Sequence, residues 1–204
     1  MSLRFSSITF VVLLVACKDA PASPAPEEPA ASSKPRVRAK NGRRFAQQLS
    51  AGLELSEDEL CSELGLFDCV EEAHLVVMGG VDAAGLGVAV PLPVAPVTAP
   101  IAYDRVALSA CFERVDRDFE SPGDAAIFGA LTESDVSQEA REGVVSELYL
   151  RLLHREATDF ERETLCEFFT DTIVPHTPDS QEAHQQWAGL SCFAVATSVE
   201  SLFY

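Results

Sequence analysis

The chain predicts an all-α fold: a single helical bundle with a long Gly/Pro-rich apolar connector, preceded by a disordered tether. Three observations carry this. Apolar residues recur at helical spacing, as in Val144, Val145, Leu148, Leu152 and Leu153. Two capping boxes, Ser56-Glu57-Asp58-Glu59 and Thr158-Asp159-Phe160-Glu161, mark helix starts, a hydroxyl being followed three residues on by glutamate. No run shows sustained period-two alternation, the signature of a half-buried strand.

In chain order, residues 18–41 hold Pro21, Pro24, Pro26, Pro29 and Pro35 among alanine and serine, too little apolar content to fold. A first helix is expected over 43–50, with Phe45 and Leu49 on one face and Gly52 closing it. The Ser56 box opens a helix through Leu60 and Leu64 that Gly65 interrupts, and a further helical piece runs over 67–78. Residues 79–102 then carry four glycines, Pro91, Pro93, Pro96 and Pro100, and a single charge, Asp82. Such backbone cannot be helical and suits a central strand poorly. Its apolar content predicts a connector packed across a groove between helices, with a partner-binding edge as the functional alternative.

Asp104 is the expected N-cap of a helix reaching Phe119, with Leu108, Cys111, Phe112 and Val115 at helical spacing. Residues 121–124 read as a turn, and 125–131 as a short helix. A helix over 137–154 follows. The Thr158 box starts another, through Leu165, Phe168, Phe169 and Ile173, which Pro175 and Pro178 break. Asp179 or Ser180 caps the last helix, 181–202.

The first seventeen residues point to an address. Arg4 precedes an apolar run from Ile8 to Ala16, too short to span a bilayer and consistent with a cleaved export signal. Leu14-Val15-Ala16-Cys17 resembles the lipobox of bacterial lipoproteins. That resemblance implies cleavage before Cys17, acylation of its sulfur and new N-terminus, and a membrane lipid as partner. Several acyl chains on one residue make a durable anchor where one chain holds poorly. Lys18, rather than aspartate, implies the outer membrane by the same resemblance. The expected organisation is a signal peptide over 1–16, an acylated cysteine with a flexible tether over 17–42, and an acidic helical domain over 43–204.

Charge is divided unevenly. Residues 18–44 carry seven basic side chains against three acids, whereas from Phe45 onward seven arginines and no lysine face twenty-nine acids, a net charge of −22. A body so acidic repels nucleic acid, while the basic tether is drawn to anionic membrane.

Outside the cytoplasm disulfides persist. With Cys17 acylated, Cys61, Cys69, Cys111, Cys166 and Cys192 remain, an odd number that leaves at least one thiol without an intramolecular partner. Two antiparallel neighbouring helices would bring Cys166 to Cys192, a bond contributing about 3 kcal/mol in the chain-entropy model. Cys69 with Cys111 would tie two helices across the proline segment, and Cys61 with Cys69 competes with that pairing. Neither Cys-x-x-Cys nor a zinc-type Cys/His spacing occurs.

Residues 148–158, a leucine-rich helix ending in Arg155-Glu156-Ala157-Thr158, and the Trp187-led closing segment through Ser201-Leu202-Phe203 are similar to parts of secreted planctomycete cytochrome-associated proteins of unknown function and shorter delta-proteobacterial relatives. Residues 43–60 echo the arginine-rich helix of the same proteins. Ala157 replaces the family's usual proline, and the family's covalent haem motif is missing, so no cofactor is implied.

His74 and Met78 share a helix face, and His176 and His184 flank a proline turn with Glu182 between them. Packing and helix entry account for them without a metal. No nucleophile elbow or zincin pair is present. The expected function is that of a membrane-anchored extracytoplasmic lipoprotein, a non-catalytic accessory or binding subunit working with another envelope protein. The alternative, drawn from the resemblance alone, is a redox accessory protein beside cytochrome-like partners.

Overall fold

A computed structural model describes residues 38–92, 95–133 and 136–204. Cys17, the expected signal peptide and nearly all of the expected tether lie outside the described residues. The protein is mostly helical, with one two-stranded hairpin among those residues. Helix α1 (Gly42–Leu53) starts at Asn41, whose Oδ1 accepts from the Arg44 N–H at 2.9 Å. It outruns the expected end because Gly52 lies within it. A Cβ there would come within 2.8 Å of the Leu152 side chain, so glycine permits a close crossing, and Glu54 takes the left-handed cap instead. Backbone pairing reaches back before residue 43: Lys40 N–H donates to Leu202 O at 2.8 Å and Tyr204 N–H to Arg38 O at 2.9 Å.

The Ser56 capping box forms, with the Ser56 N–H donating to Glu59 Oε2 at 2.9 Å, but it starts only a single 3-10 turn over Glu57–Glu59. The expected helix through Leu64 is replaced by a hairpin of β1 (Ser62–Glu63) and β2 (Phe67–Asp68). Leu64 and Gly65 turn it with positive φ, and Cys61 and Cys69 close its base. The second expected helical piece shortens to a π-helical turn over Cys69–Ala73, capped by Asp68.

The apolar connector departs most from expectation. It does not fill the core: Val81, Leu86, Val90, Leu92 and Val97 are all exposed. Helix α2 (Ala99–Glu120) begins five residues before Asp104, with Pro100 in its first turn, where a missing N–H costs nothing.

The expected helix over 125–131 reduces to a 3-10 turn over Gly129–Leu131. The stretch before it is held by Asp118 of α2. That carboxylate accepts from the N–H groups of Ala126, Ile127 and Phe128 at 2.8–2.9 Å and pairs with Arg114 at 2.6 Å, both charged side chains being buried.

The C-terminal half follows the sequence closely. Helix α3 (Gln138–Leu153) is capped by Ser137, α4 (Asp159–Phe168) by the Thr158 box, and α6 (Ser180–Ala196) by Asp179. Between α4 and α6 the chain continues through a π-helical turn, Phe169–Ile173, into the short α5 (Val174–His176). Ser198 breaks the last expected helix and caps a separate α7 (Val199–Leu202). Helices α2 and α6 form the most extensive contact, α1 lies against α3 and α2, and α3 also meets α4 and α6. Trp187, Phe45, Phe128, Leu49, Leu148 and Val115 are among the fully buried side chains between them. No helix among the described residues is long and apolar enough to cross a membrane.

Candidate functional site

Five cysteines fall within the described residues, and four are bridged. Cys61 pairs with Cys69 across eight residues, and Cys111 with Cys192 across eighty-one. The expected Cys166–Cys192 and Cys69–Cys111 pairings are therefore corrected. The reason lies in how α6 is turned. Its Trp187 faces α4, donating Nε1–H to Leu165 O at 2.7 Å, whereas Cys192, five residues on and well around the helix, faces α2. Cys69 is taken by the local partner that had been the competing choice. Cys166 is left as a free, buried thiol.

A cleft of about 650 Å³ lies where one side of α1, the end of α3 and the C-terminal segment meet. Its size suits a small ligand or a peptide side chain. Gln48 organises its floor. The amide nitrogen donates to Leu152 O at 2.7 Å and Ser201 Oγ at 3.1 Å, and the amide oxygen accepts from Lys40 Nζ at 2.6 Å. Lys40 also lies 5.7 Å from the Tyr204 ring centre. Partial burial, then the neighbouring Arg44, hold the lysine below its ordinary pKa. Arg151 and His154 line the opposite wall, the arginine already engaged by Glu54 and Glu147 at 2.6 and 2.5 Å. Two adjacent cations, glutamines and an exposed tyrosine can bind an anionic or hydrogen-bonding group.

A second cleft of about 430 Å³, between α3 and α4, contains Cys166, Arg141, Glu142 and Arg162. Burial and Glu142 push the Cys166 thiol upward, against the pull of Arg141, so little thiolate exists at neutral pH and the sulfur is a poor nucleophile. Beside it Arg141 lies 4.6 Å from the centre of the Phe169 ring, and His184 stacks with that ring at 4.8 Å. Burial lowers the His184 pKa below its usual 6.5.

The other sequence candidates are apart from both clefts. His74 Nε2 lies 3.1 Å from Glu63, which also pairs with Arg105 at 2.7 Å, and Met78 is packed in the core. His176 Nδ1 meets Thr172 O at 2.8 Å at the end of its own helix. No group of three or more His, Cys, Asp or Glu among the described residues is placed to hold a metal ion.

Sequence reasoning missed the Arg114–Asp118 pair, although charges four apart inside an otherwise apolar face were the available signal. It also missed the Lys40–Gln48–Ser201 network, whose partners are more than 150 residues apart in sequence at the extreme and leave no local mark. Compared with models of protein families, with curated proteins and with solved structures, the chain matches none.

Proposed function

We propose that this protein is a lipid-anchored extracytoplasmic lipoprotein of the cell envelope, acting as a non-catalytic binding or accessory subunit. Acylated Cys17 holds it to a membrane, the outer one by the Lys18 reading, and the acidic helical domain presents the Lys40–Arg44 cleft to an envelope partner. The observation that carries the reading is the joining of four cysteines in two pairs, an arrangement that suits a compartment where disulfides persist. The basic stretch before Phe45 and the acidic body after it support the same orientation.

Affinity recovery from detergent-solubilised membranes tests the binding role. Ala51 lies on the exposed side of α1 and lines the cleft, so Ala51→Arg obstructs it without touching the core. A partner recovered with the acylated wild type and lost with Ala51→Arg is expected. Equal recovery with both would contradict the cleft's role, and a chain without acyl mass on Cys17 would contradict the anchor.

A further inference from the structure

The segment after Gly80 has the composition of a core element and the position of a surface one. Leu86 is 71% exposed, Val90 70% and Val97 94%. Side chains this apolar, gathered in one loop, call for a non-aqueous neighbour. The loop tip is also shaped rather than loose. Asp82 and Val88 exchange backbone hydrogen bonds at 2.8 and 2.9 Å, and the Asp82 carboxylate accepts from Gly85 N–H at 2.7 Å and Leu86 N–H at 3.2 Å. The loop's single charge is thereby tied into its own turn, and Leu86 is presented at the tip.

We propose that this loop, through Val81, Leu86 and Val90, is a lipid-contact element that enters the interfacial layer of an anionic bilayer. The proposal rests on the lipid-anchor reading above and says which end of the domain meets the membrane. Two observations select lipid as the occupant. First, the root of the loop and the start of the domain are one place: Val81 and Pro91 share a groove with Asn41, Gly42 and Arg43, and Gly42 N–H donates to Met78 O at 2.7 Å. Tyr103 bolts the same junction, donating its hydroxyl to Lys40 O. Followed back from α1, the chain thus passes the root of the loop at residues 40–43 before residues 38–40 pair with the C-terminal segment.

Second, the acid-free basic stretch at the start of α1 reaches this junction. Arg38, Lys40, Arg43 and Arg44 form a stretch with four cations and no acid; Arg43 lines the loop-root groove, paired at 2.8 Å with Glu71 of the same groove, while Lys40 and Arg44 line the neighbouring cleft. The remaining body, at −22, is repelled by anionic headgroups. Apolar side chains flanked by cations are the pattern of an interfacial membrane element. Two copies meeting loop to loop would set their basic stretches against each other, which counts against a second copy as the cover.

The test uses the full-length acylated protein on vesicles of equal parts phosphatidylcholine and phosphatidylglycerol, with or without brominated acyl chains. Leu86→Trp reports on the loop and Phe160→Trp, at an exposed position of α4, on the body; Trp187 is the chain's only native tryptophan and is buried, a constant background. The expected result is a blue shift and a loss of the added emission to brominated lipid for Leu86→Trp, and neither for Phe160→Trp. Water-like, unquenched emission from Leu86→Trp on acylated, vesicle-bound protein overturns the loop's role and leaves the anchor standing. Equal quenching of both variants overturns it too, since the whole body would then be adsorbed. A blue shift without quenching, together with a dimer by light scattering, means that a second copy covers the loop. Absence of acyl mass on the Cys17 peptide is a separate readout that removes the anchor reading and this proposal with it.

Discussion

Asp118 shows how one side chain can stand in for a piece of secondary structure. Its two oxygens accept from three consecutive N–H groups and from Arg114, so the loop over 125–128 needs no helix of its own. Truncating Asp118→Ala strands a buried guanidinium and three amide donors. Unfolding in urea should show a loss of about 3–5 kcal/mol. Arg114→Leu should cost less, because the carboxylate keeps its amide donors. Equal or negligible losses for the two would contradict this division.

Titration at the helix caps gives a second prediction at the same scale. The Arg155 guanidinium, helped by Thr158, holds the Glu161 carboxyl down to about 2 against the opposing effect of burial. Arg117, with Ser56, does the same for Glu59. A carboxyl depressed in the folded state stabilises fully above its unfolded value, near 4.5, and loses that contribution as pH falls toward the folded value of about 2. Thermal unfolding followed across that window should show the melting temperature falling. Glu161→Gln, with nothing to titrate there, should make the fall shallower; an unchanged slope would refute the assignment.

Among elements, the contact between α2 and α6 decides most. Gly189 of α6 has no room for a side chain, since a Cβ would come within 2.6–2.8 Å of the Phe112 ring. Gly189→Ala should lower stability by about 1–3 kcal/mol. Phe112→Leu in the same chain should return part of the loss; no loss in the single variant would mean the ring simply swings away. The Cys111–Cys192 bridge fastens the same pair of helices and contributes about 4.5 kcal/mol in the chain-entropy model. A non-reducing peptide map should yield linked peptides for Cys61–Cys69 and Cys111–Cys192 and an alkylated Cys166 after unfolding. A Cys166–Cys192 peptide would overturn the packing of α6.

These elements also show what a sequence can and cannot reveal. Ser137, Thr158 and Asp179 cap helices through bonds spanning three residues, so those starts were legible. Helical spacing placed Leu148 and Leu152 in the core for the same local reason. Cysteine pairing was not legible because it depends on the rotation of α6 between two neighbours, a tertiary property. The connector was misjudged because composition reports how apolar a segment is, not whether the helices leave space for it. Gly52 looked like a helix terminus, and only the approach of Leu152 explains its place within α1. The Lys40–Arg44 cleft drew residues from both ends of the domain, beyond any windowed pattern.

At the scale of the whole molecule, scarce cations are distributed with economy. Six of the seven arginines beyond Phe45 make ion pairs, and Arg117, Arg151 and Arg155 each bridge two glutamates. Arg141 instead lies against Phe169. Exposed pairs of this kind contribute little individually, whereas the excess of acids repels itself throughout the body. Moderate salt should therefore raise the melting temperature at neutral pH. A fall would mean that the arginine bridges outweigh the general repulsion.

The same asymmetry divides a basic start from an acidic body, and the proposed anchor turns on lipid at Cys17. Intact-mass and peptide analysis of the mature protein recovered from its native cells measures this directly. The account predicts a chain that begins at Cys17 and bears acyl mass on that residue. An unmodified chain that still carries its first sixteen residues would contradict it.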